Sequence, residues 1–181
     1  KKIATTLNAI CIKLGQYIYG YDKDSLAGVL GMELKKSGHT LAVAESCTGG
    51  LLGHLITNEP GSSDYYLGGI VGYSNEVKIR LLGVSPNTLR AYGAVSEECV
   101  SEMLKGVKEK MGCFAAIAIT GIAGPSGGSV LKPVGTVYVG VGYGNREHIA
   151  ALSLSGNREI IKERAAKEGL RLLMALAKGQ I

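Results

Sequence analysis

The sequence predicts an α/β fold: a three-layer α/β/α sandwich built around a mixed, mainly parallel sheet. Over most of the chain, short apolar runs typical of buried strands alternate with segments of helical periodicity. Near the C-terminal end, strand-like runs follow one another directly before a final helix. Alternation of strands and helices builds parallel units, whereas successive strands build antiparallel hairpins. The 181 residues fit one domain of ordinary size.

Two helices are expected before the first strand. Apolar residues at helical spacing predict a first helix that ends near Gly20. Asp24 is a candidate N-cap for the second helix, which should stop at Gly38. We therefore expect residues 1–38 to form a helical connector and residues 39–181 to form the main domain.

The remaining elements follow in order along the chain. Strands are expected at residues 41–44, 66–73, 114–120, 134–143 and 148–154. Helices are expected at residues 51–56, 75–82, from 86 onward, 96–111 and 157–177. Their starts carry local signals, since Pro86 suits a first helical position and Asn157 is a good N-cap. Gly144-Asn145 joins the last two strands and suits a hairpin turn.

Composition and charge limit the classes of function. The net charge is +5 and the isoelectric point is about 9.0, which would permit nucleic-acid binding. However, lysines and arginines are interspersed with acids, as at Lys108-Glu109-Lys110, and tryptophan is absent. Nucleic-acid binding is therefore disfavoured, and a small phosphorylated molecule suits the mild positive balance equally well.

Cysteines and histidines give no support for a metal site or another cofactor. The four cysteines form no C-x-x-C pair, and the three histidines show no H-x-x-x-H spacing. Sparse cysteines fit a reducing cytoplasm. The sequence contains no signal peptide and no apolar run of membrane-spanning length, so neither secretion nor a membrane location is expected. Because the chain begins at Lys1, we expect it to be part of a longer protein.

A polar turn at residues 46–50 lies between a predicted strand and a predicted helix. Such junctions lie at the carboxyl edge of a sheet, where α/β proteins bind ligands. Ser46 there has the placement of a nucleophile, and the amides of Thr48, Gly49 and Gly50 are expected to point outward and stabilise an anion or oxyanion. An equally good interpretation of the turn alone is that Ser46 and Thr48 only cap the helix.

A nucleophilic serine needs a base, and a lysine can serve. Tyr73 should end a strand, and Lys78 should lie one turn into the next helix. Only about one lysine in 2500 is neutral at pH 7, and a lysine on a short helix faces solvent by default. Lys78 can act as a base only if burial or a neighbouring cation lowers its pKa.

A glycine-rich segment, residues 120–129, follows an apolar strand and suits the wrapping of a phosphate. It is not a P-loop, because no Gly-Lys-Ser/Thr sequence ends it. A flexible loop is the alternative. Arg158, at the start of the last helix, could reach a phosphate or carboxylate bidentately, or could be a surface charge.

Taken in order, six segments resemble the CinA C-terminal domain family, which includes the stand-alone PncC amidases. The segments are AESCTGG at 44–50, GSS at 61–63, GYSNEVK at 72–78, GAVS at 93–96, TGIAGP at 120–125 and KPVGT at 132–136. Residues 14–20 are also similar to the connector that precedes this domain in two-domain CinA proteins. The resemblance covers about residues 40 to 175.

The resemblance implies hydrolysis of nicotinamide mononucleotide to nicotinate mononucleotide and ammonia, in pyridine nucleotide salvage. It implies that Ser46 is the nucleophile, Lys78 the base and Tyr73 a proton relay, with the oxyanion held near Thr48 and Gly49. The remaining substrate contacts would come from Gly50, Thr120, Gly121, Ala123, Gly124 and Arg158. It also implies a preceding domain similar to molybdopterin-binding folds, and we expect a homo-oligomer.

Two alternatives stay open at the level of sequence. Cys47 could be the nucleophile instead of Ser46, since a thiolate is intrinsically more reactive. The chain could also be a non-catalytic nucleotide-binding or interaction module associated with competence or DNA repair.

Overall fold

A five-stranded mixed sheet forms the centre of the molecule in the computed structural model, which describes residues 2–14 and 18–181. Its strands are β1 (Leu41–Glu45), β2 (Tyr66–Val71), β3 (Ala115–Gly121), β4 (Thr136–Tyr143) and β5 (Arg146–Ser153). Their spatial order is β2-β1-β3-β4-β5. Strand β1 pairs in parallel with β2 and β3, whereas β4 is antiparallel to both β3 and β5. Every strand except β4 therefore runs in the same direction.

Helices cover both faces of the sheet, as the α/β/α prediction requires. The helices are α1 (Lys2–Leu14), α2 (Leu26–Ser37), α3 (Leu51–Thr57), α4 (Asn75–Leu82), α5 (Pro86–Ala91), α6 (Glu97–Met111) and α7 (Arg158–Ala177). Helices α2, α3 and α7 pack together on one face, and α6 covers the other face with α4 and α5 against it. The predicted fold class is confirmed.

Strand β1 is buried along its whole length and separates the two cores. Leu41 and Val43 belong to the core under α2, α3 and α7, whereas Ala42 and Ala44 belong to the core under α6. This alternation follows from the two-residue period of a strand. It also explains why the run reads as continuously apolar, since both faces of the strand are covered.

Side-chain caps fix most helix starts where the sequence predicts them. Ser74, Ser85, Ser96 and Asn157 each accept a hydrogen bond from an amide in the first turn of the following helix. Each cap satisfies a backbone donor that would otherwise lack an intrahelical partner. The predicted spans of α4 and α7 are accordingly confirmed.

Several predicted boundaries were wrong. Ser25, not Asp24, caps α2, because its hydroxyl accepts from Gly28 N, whereas the Asp24 carboxylate accepts from Tyr21 N. Helix α1 ends at Leu14, residues 15–17 lie outside the described part, and residues 18–20 are not helical. Strand β2 stops two residues earlier than expected, β3 and β4 begin one and two residues later, and β5 begins two residues earlier.

The predicted connector includes a helix that contributes to the core. Ala27, Leu30 and Leu34 of α2 are buried against α3 and α7. Gly38 ends α2 in a left-handed conformation, as predicted. The division at residue 38 stays a prediction. Over residues 2–14 and 18–181, no helix combines the length and hydrophobicity that crossing a bilayer requires.

Helices α4 and α6 approach each other most closely at Gly106. A Cβ at this position would lie 1.8 Å from the carbonyl oxygen of Leu82. Glycine-to-alanine exchange in a helix usually stabilises a protein by up to about 1 kcal/mol. Here we expect Gly106→Ala to lower the free energy of unfolding by about 1–3 kcal/mol, because the helices must separate. Urea denaturation measures the change.

The control is Lys105→Ala, at an exposed position of the same helix. It should change the free energy of unfolding by no more than about 0.5 kcal/mol. A Gly106→Ala protein as stable as the parent would contradict the close contact.

Candidate active site

The parallel strands bring three sequence-distant segments to one edge of the sheet. Ser46 directly follows β1, Tyr73 lies two residues beyond β2, and Thr120 is the penultimate residue of β3. The Ser46 amide donates to the carbonyl of Ile119 at 2.9 Å, which extends the β1–β3 ladder by one bond. Polar residues that are far apart in sequence therefore meet where ligands of open α/β sheets bind.

A pocket of about 330 Å³ opens at this edge, within the size range of small-molecule sites. It is lined by candidate site residues from four segments: Ser46, Cys47, Tyr73, Lys78, Thr120, Gly121, Ala123, Gly124 and Arg158. The sequence did not single out Asn75, Ala94 and Val95, which also line it. Thr48, Gly49 and Gly50 are not among the lining residues.

Glu45, which the sequence reasoning overlooked, organises the turn after β1. Its side chain is 1% exposed and accepts three amide hydrogen bonds, from Gly50 (3.0 Å), Leu52 (3.0 Å) and Gly53 (2.8 Å). The carboxylate thus binds the amides at the positive end of α3. A carboxylate just before a turn and helix was the available signal, since acids suit helix N-termini.

Amides that were expected to bind the oxyanion already donate hydrogen bonds within the turn. The prediction that the Gly50 amide points outward was wrong, because it donates to Glu45. The Gly49 amide donates to the Ser46 carbonyl at 3.1 Å and closes the turn. Thr48 is fully buried, and its hydroxyl has no hydrogen-bond partner in the described structure.

We expect Glu45→Ala to destabilise the protein strongly. The exchange leaves the amides of Gly50, Leu52 and Gly53 without their buried acceptor. Hydrogen bonds to charged groups contribute about 1.5–3 kcal/mol each, so a loss of at least about 3 kcal/mol is expected. Thermal unfolding provides the measurement.

Glu76→Ala is the matched control, since Glu76 is an exposed acid whose partner is Arg80. It should cost less than about 1 kcal/mol. Equal losses in the two variants would contradict the role assigned to Glu45.

Lys78 is fully enclosed, contrary to the default for a lysine on a short helix. Its side chain is 1% exposed, and burial lowers its pKa below the ordinary value of 10.5. The Nζ atom donates to the carbonyl of Tyr73 at 3.1 Å. No carboxylate lies within salt-bridge distance of this nitrogen in residues 18–181. Desolvation without an acidic partner favours the neutral amine.

Packing of α4 explains how the lysine becomes buried. Helix α4 packs against α6, and Leu82 places the C-terminal end of α4 in the core. The lysine stem passes beside Gly72, where a Cβ would lie 3.4 Å from Lys78 Cγ. A side chain at position 72 would therefore press against the Lys78 stem, and glycine avoids this contact.

Arg158 connects two parts of the pocket. One guanidinium nitrogen donates to the Gly124 carbonyl at 2.7 Å, and another donates to the Tyr73 hydroxyl at 3.1 Å. The side chain is solvent-exposed, as the surface-charge alternative expects, and it also joins the glycine-rich loop to Tyr73. The guanidinium retains further N–H groups beyond these two bonds.

The remaining matched segments support the pocket wall. The Thr120 hydroxyl, 1% exposed, donates to the Ala94 carbonyl at 2.7 Å. Lys132 donates to the carbonyls of Tyr92 and Val95, both at 2.7 Å. The segments 93–96, 120–125 and 132–136 are thus joined through side-chain contacts to backbone.

Cys47 has the properties of a core residue. Its thiol is 6% exposed, and burial raises its pKa to about 11. A thiol with such a pKa is almost entirely protonated at neutral pH and is a poor nucleophile. This environment disfavours the alternative in which Cys47 attacks the substrate.

The pocket lining contains basic side chains and no acidic ones. Lys78 and Arg158 line it, and no aspartate or glutamate does. Within residues 2–14 and 18–181, no group of three or more potential metal-binding side chains is found. An anionic small molecule is the complementary ligand.

These features define an α/β/α protein with a cationic pocket that gathers a turn serine and a buried lysine. The model of the CinA C-terminal domain family matches residues 23–177, and the chain belongs to this family.

Relatives and solved structures agree with this membership. The chain is 52% identical over 149 residues to a CinA-like protein of Synechocystis sp., covering 81% of this chain and 35% of the relative. It is 48% identical over 161 residues to a CinA-like protein of Thermotoga neapolitana, covering 89% of this chain and 39% of the relative. A CinA superfamily protein from Klebsiella pneumoniae superposes with a TM-score of 0.81 at 34% identity, covering 84% of this chain and 96% of that chain.

The chain thus spans about two fifths of the length of the curated relatives it matches.

Proposed function

We propose that the chain is an amidase that hydrolyses nicotinamide mononucleotide to nicotinate mononucleotide and ammonia. The observation that carries the proposal is the buried Lys78, with its lowered pKa, in the same pocket as Ser46. A lysine that loses its proton readily can serve as the general base for a serine nucleophile. The Arg158 guanidinium, in a lining without any carboxylate, supports a substrate that carries a phosphate.

In the first stage, Lys78 takes the hydroxyl proton of Ser46 while Oγ attacks the carboxamide carbon. A C–O bond forms, and the carbonyl electron pair moves to the oxygen. When the tetrahedral intermediate collapses, the C–N bond breaks and the nitrogen leaves as ammonia. The proton it needs comes from Lys78 through the Tyr73 hydroxyl.

In the second stage, water hydrolyses the ester on Ser46. Lys78 accepts a proton from the water, which attacks the ester carbon, and the Ser46 oxygen leaves and recovers a proton. The sum is one amide and one water converted to one carboxylic acid and one ammonia, so no cofactor is consumed.

The hydrogen bonds within the turn narrow the choice of oxyanion donors. Gly50 is committed to Glu45, and Gly49 is committed to the Ser46 carbonyl. Of the three predicted donors only the Thr48 amide remains, and Thr48 is buried behind the pocket lining, so we assign the main stabilisation of the oxyanion to Arg158, which lines the pocket. Thr120, Gly121, Ala123 and Gly124 would shape the substrate wall.

The proposal also concerns the domain context, assembly and location of the protein. Since the relatives are longer than this chain, we propose that it works beside a further domain similar to molybdopterin-binding folds. A homo-oligomer in the cytoplasm remains part of the proposal.

Ammonia release from nicotinamide mononucleotide tests the proposed function, with nicotinamide riboside and free nicotinamide as controls. We expect release from the mononucleotide in preference to the other two. Tight nucleotide binding without ammonia release would contradict the amidase and would favour a non-catalytic nucleotide-binding module. Equal turnover of free nicotinamide would contradict recognition of the phosphate.

A further inference from the structure

Lys162, which no sequence motif singled out, lies beside the turn that carries Ser46. It stands one helical turn after Arg158 on α7, so the two side chains share a helix face. Its Nζ is 3.8 Å from the position that a Cβ would take at Gly49. Its charge also lowers the pKa of the Cys47 thiol, although burial prevails.

Lys162 has no partner in the part of the chain that the structure describes. No hydrogen bond or salt bridge is found for its Nζ, although the side chain is only partly exposed. The neighbouring Glu163 is paired with Lys167 at 2.6 Å. Glu45, the acid of the turn, is committed to the amides of α3.

The surroundings of Lys162 leave room for an anion. Gly49 has no side chain, and its φ of +62° disfavours any replacement that would fill the space. Arg158 lines the pocket, which has no carboxylate in its lining, whereas Lys162 and Gly49 lie outside the lining, beside the turn that carries Ser46. Two basic side chains one helical turn apart favour an anion that contacts both.

We propose that Lys162, above Gly49, binds the phosphate monoester of the nucleotide substrate and thereby sets the preference for mononucleotides over nucleosides. The inference rests on the proposed function, since it deepens the substrate recognition of the same pocket. A phosphate monoester carries about −1.5 to −2 charge at pH 7, which complements the unpaired ammonium. Lys162 is assigned to binding, not to bond breaking.

Binding of the reaction product tests this without turnover. Calorimetry compares nicotinate mononucleotide with nicotinate riboside in the parent protein and in Lys162→Met, Lys162→Arg and Lys105→Met. Lys105 is exposed on α6, so its exchange removes one charge at a distance. We expect Lys162→Met to weaken mononucleotide binding by about 10–100-fold, the loss typical of a hydrogen bond to a charged group.

Two other affinities should remain close to those of the parent protein. Riboside binding should be unchanged in Lys162→Met, and Lys162→Arg should retain mononucleotide binding because it keeps the charge. The inference is overturned if Lys162→Met weakens both ligands equally or neither, or if Lys105→Met causes the same loss. Equal parent affinities for mononucleotide and riboside would also overturn it.

Ammonia release measured on the same proteins separates the two proposals. If the parent releases no ammonia, yet Lys162→Met selectively loses the mononucleotide, the proposed function fails and the phosphate subsite stands. If the parent deamidates the mononucleotide and Lys162→Met retains its affinity, the subsite fails and the proposed function stands.

Discussion

Replacing Ser46 by alanine is expected to reduce kcat for nicotinamide mononucleotide by at least about 10³-fold, the scale seen when a nucleophile is removed. The serine is 8% exposed, directly follows β1 and lines the cationic pocket. Its loss removes the atom that forms the covalent intermediate, whereas the pocket walls remain. Affinity for the product should therefore change far less than turnover.

Cys47→Ala is the informative control, because the two residues are adjacent and have opposite expected effects. The buried thiol, with its pKa raised to about 11, should contribute to packing only. Cys47→Ala should retain turnover within about threefold while losing roughly 1 kcal/mol of stability. Full activity of Ser46→Ala would end the serine mechanism.

Replacing Lys78 by methionine is expected to have the second-largest effect. Methionine is similar in size but cannot accept a proton, so turnover should fall by about 10²–10⁴-fold, as for the loss of a general base. In the parent, kcat/KM should rise with pH through the lowered pKa of Lys78, at a pH below 10.5. Lys78→Met should lose this rise.

The stability of the parent should also rise with pH. The folded-state pKa of Lys78 lies below its unfolded value, so the unfolded chain binds more protons between the two pKa values. The free energy of unfolding of the parent should therefore increase as pH rises from the lowered pKa toward about 10.4. Below that window the folded state carries the full cost of the buried charge, and Lys78→Met is free of it.

Chemical denaturation across pH distinguishes these contributions. The difference between parent and Lys78→Met should favour the variant most at low pH and shrink toward alkaline pH. Lys105→Met, at an exposed position of α6, provides the control for the exchange of a lysine for methionine. A pH-independent difference for Lys78→Met would contradict the proposed desolvation of the lysine.

Local signals in the sequence predicted the helix starts well. Ser85-Pro86, Ser96 and Asn157 are caps whose hydrogen bonds involve only the first turn of their own helices. The apolar strand runs were equally reliable, because strands β1 and β3 are covered on both faces. The fold class followed from the order of these elements.

Features of the site that depend on tertiary packing could not be predicted from the sequence. Burial of Lys78 depends on α6 and on Gly72, which lies six residues earlier in the chain. Lys162 lies beside Gly49 because α7 packs against α3, the helix that follows the turn carrying Ser46. Asp24 and Ser25 are both residue types that cap helices well. The path of the backbone determines that Ser25 accepts the hydrogen bond from the first turn of α2.

The parallel order of β2, β1 and β3 has a consequence for the time course of folding. The site depends on the pairing of β1 with β2 and β3, because these strands carry Ser46, Tyr73 and Thr120 at or just beyond their ends. Pairing of these strands closes long loops and is therefore slow compared with the formation of local helices. During refolding, helical circular dichroism should therefore recover before ammonia release does. Recovery of the proposed ammonia release would then report the pairing of the strands rather than the recovery of secondary structure.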